Sequence, residues 1–204
     1  MPGRICLASK SPRRRELLAA LGYDIVLLPQ GVATPFACPG DEERREGEPA
    51  LAYALRTAKT KALEALAQIE AEGLERLPVV AADTTVVLGE RILGKPRDRA
   101  EELEFLGLLS GRTHLVRTTV FAGTEPGNLV FAVSESSVTF ERMTREAMEA
   151  YADTDEPYDK AGGYAVQGLA AAFISRIEGS YSGIMGLPVY ETGKLLSRFG
   201  RGVF

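Results

Sequence analysis

The 204-residue chain has little of what most often announces chemistry: one histidine, His114, and two cysteines, Cys6 and Cys38. The cysteines stand far apart, with neither a C-x-x-C spacing nor a neighbouring histidine, which argues against a zinc site or a disulfide framework. Cys6 reads as a core strand residue and Cys38 as a loop thiol, while His114, set among strand residues in "RTHLVRT", reads as structural. No uncharged run approaches the length of a membrane span, and the apolar run within "MPGRICLASKSP" is too short for the core of a signal peptide. A cytoplasmic protein without a membrane partner is therefore expected. Basic excess is missing as well: the net charge is -4, and Lys and Arg are dispersed apart from Arg13, Arg14 and Arg15. No basic stripe offers itself to a nucleic-acid backbone, so no nucleic-acid partner is expected. Neither G-x-x-x-x-G-K-[ST] nor G-x-G-x-x-G occurs, which excludes a Walker loop and a dinucleotide fingerprint.

What is present is the composition of an ordinary globular protein, 45% hydrophobic and 25% charged, enough to bury a core in a single domain spanning residues 1–204. "RICLAS" reads as a strand, followed by a helix in "SPRRRELLAALG" with Ser11 as N-cap, Pro12 at its first position and Gly22 as its stop. "YDIVLL" suggests a second strand. A long amphipathic helix follows, carrying Leu51, Leu55, Ala58, Ala62, Leu66 and Ile69 on one face and ending at Gly73. "LPVVAAD" has the pattern of a strand buried on both faces and ended by Asp83, with a hairpin turn at "GE" beyond it. Asp98 with Glu101 forms a capping-box pattern before a third helix closed by Gly111. Long strands on either side of "TEPGN" fill residues 113–141; a helix opened by Thr144, a glycine-rich loop at "YDKAGGYAVQG", a strand in "LAAAFISRIEG" and a final helix after Pro188 complete the chain. The class is α/β or mixed α+β.

Three arginines at a helix start oppose the helix dipole by typically 0.3–1 kcal/mol each. Leu17, Leu18 and Leu21 define the apolar stripe; Arg14 falls within roughly 15° of its centre, whereas Arg13 and Arg15 lie about 90° and 110° to either side. Arg14 therefore points inward and needs an anion. An internal carboxylate or a bound phosphate would serve, and the hydroxyls of Ser9 and Ser11 beside a helix N-terminus favour the phosphate. Asp83 either stops its strand and bonds the next turn, or holds a divalent metal or activates water beside bound phosphates. The acids of "GDEE" are either solvated surface or a second carboxylate source. Lys59 and Lys61 lie about 60° and 100° from the long helix's stripe, which places Lys59 nearer the core and Lys61 on a flank. Lys95, Lys160 and Gln167 stand in loop-like segments, and Gln167 has the donor and acceptor needed to read a base edge or to cap a turn.

The segments "LASKSPRRRELL", "GDEERREGEP", "RTAKTKAL", "VVAADTTVVL", "LGKPRD", "LLSGRTHLVRT", "DKAGGYAVQG" and "GSYSGIMGLPVYET" occur in the order and approximate spacing of the Maf family of nucleoside triphosphate pyrophosphatases. The resemblance runs from residue 7 to about residue 199. It implies a fold similar to inosine triphosphate pyrophosphatases: an elongated mixed sheet flanked by helices, two lobes with a central cleft, usually as a homodimer. It implies cleavage between the α and β phosphates with a divalent cation, Mg2+ or Mn2+. Position by position, the family's metal and base carboxylates match Glu42 and Asp83, with Glu43 as the alternative to Glu42 because "GDEE" stands where an "IDE" type is usual. Its phosphate-contacting residues match Arg13, Arg14, Lys61 and Lys95, with Ser9 in the same loop. Arg13, Thr84 and Gln167 match the branch acting on dTTP and UTP, whereas the branch acting on 7-methyl-GTP typically has a bulky aromatic and a glutamine at the first two. The contrasting class is a nucleotide-sensing cell-division regulator that keeps the pocket without turnover; the pair Glu42 and Asp83 argues for an enzyme, since a sensor needs no water-activating carboxylate.

Overall fold

The computed structural model describes residues 2–28 and 44–203. Glu42, Glu43 and Cys38 lie outside the described residues. Strand β1 (Arg4–Leu7) leads into helix α1 (Pro12–Ala20) and returns as β2 (Asp24–Leu27), parallel to β1. Helix α2 (Ala50–Ala71) crosses to β3 (Val79–Leu88), which pairs parallel with β1 through Cys6↔Val79 and Leu7↔Val80. The hairpin strand β4 (Arg91–Leu93) folds back on the end of β3, and α3 (Arg99–Leu109) follows. Two long antiparallel strands, β5 (Thr113–Gly123) and β6 (Val130–Phe140), extend the sheet; α4 (Arg145–Ala152), β7 (Ile174–Glu178), α5 (Tyr181–Ile184) and α6 (Val189–Ser197) complete the described chain. The sheet order is β2-β1-β3-β5-β6-β7, with β4 attached to β3, a mixed α/β architecture.

Local signals place several ends where the sequence predicts them. Gly22, Gly73 and Gly111 all adopt positive φ at helix ends, at +83°, +62° and +69°, a region open to glycine without steric cost. Asp98 caps α3 by accepting from the Glu101 amide at 2.9 Å. The Glu101 carboxylate reaches the Arg97 amide instead of closing the box on Asp98.

Three expectations are corrected. Asp83 does not end its strand: β3 runs on to Leu88, because antiparallel pairing with β5 is continuous from Val79↔Gly123 to Val87↔Leu115 and carries the polar Asp83, Thr84 and Thr85 along. The strand expected across "LAAAFISRIEG" begins only at Ile174; Leu169–Phe173 forms a 3₁₀ turn, since the Glu156 carboxylate accepts from the amides of Leu169 at 2.7 Å and Ala170 at 3.1 Å. The face of α2 is also rotated from the expected one. Leu51 is exposed, and the buried row is built from Ala54, Ala58, Ala62 and Ala65 together with Thr57, Leu66 and Ile69. About this stripe Lys61 lies about 60° from the centre and Lys59 about 100°, reversing their order. Small side chains let α2 lie close on the sheet, and Lys59 is exposed while Lys61 is half-buried.

The core divides in a way that places the site. Alternate residues of β3 feed two clusters on opposite faces of the sheet: Val79 and Ala81 pack under α2 with Ala58 and Ala62, and Val80 and Ala82 pack with Leu18, Leu187 and Leu196. Val86 belongs to a third cluster with Leu93, Leu106, Phe140 and Tyr164. Asp83, Thr84 and Thr85 thus span the seam between two lobes joined by one continuous sheet.

His114 is structural, as its surroundings predict. It is buried, shares a 2.7 Å hydrogen bond between Nε2 and the Tyr164 hydroxyl, and meets Phe140 edge-on at 5.3 Å. Burial pushes its pKa down from 6.5 to about 4. Between those values the unfolded chain takes up a proton that the folded chain refuses. Its contribution to stability is therefore present above about pH 6.5 and is lost as pH falls towards 4, by up to about 3 kcal/mol. In His114→Gln, urea unfolding should show a shallower loss of stability over that window; a slope equal to wild type would refute the assignment.

Candidate active site

β1 and β4 lie on the same edge of β3, β1 pairing as far as Val80 and β4 from Val86 onward. Between them no strand among the described residues lies beside the edge of β3, and its backbone needs other partners. The Val80 carbonyl accepts from the Ala8 amide at 2.9 Å, and two residues on, the Ala82 carbonyl accepts from Arg14 Nη1 at 2.7 Å. The guanidinium of Arg14 thus stands in for the missing strand. It also donates through Nε to the Gly186 carbonyl at 2.8 Å, through Nη1 to Ser9 Oγ at 3.2 Å and through Nη2 to Thr84 Oγ1 at 3.3 Å. Thr84 and Thr118 share a 2.9 Å bond, and Thr118 donates to the Gly183 carbonyl at 2.7 Å, so a directed chain of donors runs from Arg14 into the short helix α5. The inward orientation read from periodicity is observed.

The opening in the sheet is the base of a cleft of about 750 Å³. Its walls come from the β1–α1 turn, α2, β3, the end of β4 and the segments around residues 159–167 and 184–186. Side chains alternate across β3, so Thr84 faces Arg14 while Asp83 faces α2. There Lys61 Nζ meets Asp83 Oδ1 at 2.7 Å, with both side chains 15% exposed. Asp83 is therefore held by a cation across a groove rather than by the backbone of a following turn.

Every described residue expected in the site borders the cleft: Ser9, Arg13, Arg14, Lys61, Asp83, Thr84, Lys95 and Gln167. Ser9 Oγ accepts from the Ser11 amide at 3.1 Å as well as from Arg14. Ser11 occupies the N-cap of α1 without a side-chain capping bond. Arg13 reaches over the mouth to Asp159, Nη1 to Oδ2 3.2 Å, and Asp159 also pairs with Lys160. Lys95 is exposed on the wall after β4, and Gln167 is exposed at the opposite rim. Arg15 is exposed. Asp159, Tyr53, Tyr164 and Gly186 also line the cleft and carry no signal in sequence: Asp159 meets its partner 146 residues away, and Gly186 contributes a carbonyl that any residue has.

The electrostatics are lopsided. Among the described residues Lys10, Arg13, Arg14, Lys61, Lys95 and Lys160 line the cleft against Asp83 and Asp159, six positive groups against two negative, within a chain of net charge -4. Such a groove concentrates anions. No cluster of three or more His, Cys, Asp or Glu side chains occurs among the described residues. A hard divalent cation bound by one or two carboxylates, with phosphate oxygens and water as its remaining ligands, needs no such cluster, and the carboxylate of Asp83 fits that donor chemistry. Among the described residues no helix is long and apolar enough to cross a membrane.

Comparison with known proteins follows the same lines. Residues 4–199 match the family described as "Maf-like protein". The chain is 48% identical over 200 residues to a dTTP/UTP pyrophosphatase of Bordetella avium, covering 97% of this chain and 96% of the relative. It is 43% identical to a dTTP/UTP pyrophosphatase of Dechloromonas aromatica, covering 97% and 98%. A solved structure of a nucleoside-triphosphatase / dITP/XTP pyrophosphatase from Mycobacterium abscessus aligns at 18% identity with a TM-score of 0.39, covering 69% of this chain and 75% of that one.

Proposed function

The chain belongs to the Maf family, and from that premise we propose that it is a metal-dependent nucleoside triphosphate pyrophosphatase that converts dTTP and UTP to the monophosphate and pyrophosphate. The observation that carries the reading is the cleft itself, where an excess of basic groups surrounds the half-buried carboxylate of Asp83 at the opened edge of β3. A triphosphate carries about four negative charges, which must be neutralised before water can approach phosphorus. Arg14, Lys61 and Lys95 bind the polyanion, and the bonds from Arg14 to Ser9, Ala82, Thr84 and Gly186 fix its guanidinium before substrate arrives. Asp83, with Glu42 outside the described residues, would hold the Mg2+ or Mn2+ ion, which would supply charge neutralisation at the phosphates. Asp83 also orients the attacking water and accepts its proton. The water oxygen bonds to the α-phosphorus, the bridging bond to the β-phosphate breaks, and pyrophosphate leaves with the electron pair.

Gln167 at the rim presents both a donor and an acceptor, the complement of a pyrimidine-dione edge with its carbonyl and N–H. A site that reads such an edge leaves its own groups unpaired with the wrong base, so dTTP and UTP should be cleaved about 100-fold more efficiently than CTP. Gln167→Ala should bring the three rates together. The decisive test incubates the protein with Mg2+ or Mn2+ and a panel of triphosphates and identifies the products. Monophosphate with pyrophosphate is the expected result. Orthophosphate with diphosphate would mean different phosphoryl chemistry, equal rates on all bases would end the selectivity claim, and absence of product would favour a nucleotide sensor.

A further inference from the structure

Behind the cleft wall formed by residues 160–168, α3 presents Glu102. The side chain is fully buried, and neither carboxyl oxygen has a hydrogen-bond partner. Directly over it lies Gly163, at φ +73°; a Cβ there would stand 1.8 Å from Glu102 Oε2. Gly162 rests in the same manner on Val86, where a Cβ would come within 2.8 Å of the side chain, and its amide donates to the Gly94 carbonyl at 2.8 Å. Two consecutive glycines therefore lay this wall flat on the lobe behind it. Glu102 fills the space that a side chain at position 163 would need.

The titratable groups facing Glu102 do not neutralise it. From α4 the Tyr151 hydroxyl stands within bonding distance of Glu156 Oε1 and the Gly163 carbonyl; from the Pro157–Asp159 turn the Tyr158 hydroxyl bonds the Ala152 carbonyl. The Arg99–Asp153 pair at the edge is exposed, and Lys160 Nζ is engaged by Glu156 O and Asp159. A buried carboxyl without a partner persists only in its uncharged form.

We propose that Glu102 is a positioning residue for the nucleotide base: uncharged, it is the surface on which Gly163 rests, and it thereby sets where Tyr164 and Gln167 stand in the cleft. The proposal rests on the triphosphate reading above and adds to it a residue that touches no substrate. Burial holds the Glu102 proton up to about pH 9. Above that the carboxylate must reach water, and residues 160–168 leave their seat. Asp83, on β3, stays in place. Nucleotide binding is therefore lost on the alkaline side while the chemical step persists.

The test compares wild type with Glu102→Gln, and with Glu102→Met should the amide fold poorly, in steady-state hydrolysis of dTTP from neutral to alkaline pH. For wild type, KM should rise about tenfold per pH unit above about pH 9 with kcat nearly constant, whereas both variants hold KM level relative to it. Comparing the proteins at each pH cancels any change in the nucleotide. Coincident KM profiles would overturn the proposal. In a second arm without nucleotide, amide hydrogen exchange of the peptide covering residues 160–168 should speed up in wild type relative to Glu102→Gln above about pH 9. Equal protection would overturn the positioning role even if hydrolysis is confirmed. Wild type that releases no pyrophosphate from any triphosphate would instead refute the functional reading, and the exchange arm would still decide the role of Glu102.

Discussion

Asp83→Asn should lower kcat for dTTP by about 10³-fold or more while leaving KM within a few-fold of wild type. The asparagine keeps the shape of the side chain and a carbonyl oxygen for Lys61, so the lobes stay joined. What would disappear is the charge proposed to hold a cation and the lone pair proposed to take a proton from water. General-base assistance alone is worth about 10²–10⁴, and a lost metal ligand adds to it. Under the proposed function the polyanion would still meet Arg14, Lys61 and Lys95, so only a modest change in KM is expected. A stability cost accompanies the catalytic one: Lys61 and Asp83 form a 2.7 Å ion pair with each side chain 15% exposed, and removing one charge leaves the other poorly solvated. Unfolding free energy should drop by about 1–3 kcal/mol. The check is single-turnover and steady-state release of pyrophosphate under saturating Mn2+, with urea unfolding alongside. Wild-type turnover would remove Asp83 from the chemistry.

How far the sequence could reveal the site follows from the range of the interactions involved. Features decided within a few residues were legible: Pro12 and Gly22 bounding α1, Asp98 capping α3, and Arg14 sharing the inward face with Leu18. Features decided by distant pairing were not. Asp83 followed an apolar run and looked like its end, yet β5, some thirty residues on, carries the strand through it. Lys61 and Lys59 exchanged places because leucines outweigh alanines in a hydrophobicity pattern, whereas close packing of a helix on a sheet selects the alanines. Glu102 in "DRAEELE" carried no signal of its own, and its burial beneath Gly163 is visible only in the structure. The motif resemblance supplied Lys61, Lys95 and Gln167, which periodicity and composition had left open.

Arg14→Lys should reduce kcat/KM by about 100-fold and unfolding free energy by about 2–4 kcal/mol, although the charge is conserved. Among its partners the guanidinium reaches the carbonyls of Ala82 and Gly186 and the hydroxyls of Ser9 and Thr84. An ammonium on a shorter stem cannot reach all of them. The Ala82 carbonyl belongs to a fully buried residue at the edge of β3 between β1 and β4, and losing its donor exposes the desolvation cost that the arginine offsets. The Gly186 carbonyl loses its donor too, which loosens α5 and, through Thr118, the floor of the cleft. Catalysis and stability should therefore fall together in Arg14→Lys, unlike Asp83→Asn, where loss of turnover dominates. Thr118→Val, which removes the next donor in the chain without touching charge, should reproduce part of the loss, about tenfold in kcat/KM, and Thr118→Ser should restore it. Wild-type kinetics and stability in Arg14→Lys would show that the site needs only a positive charge at this position, and the role assigned to the guanidinium as a substitute strand would fall.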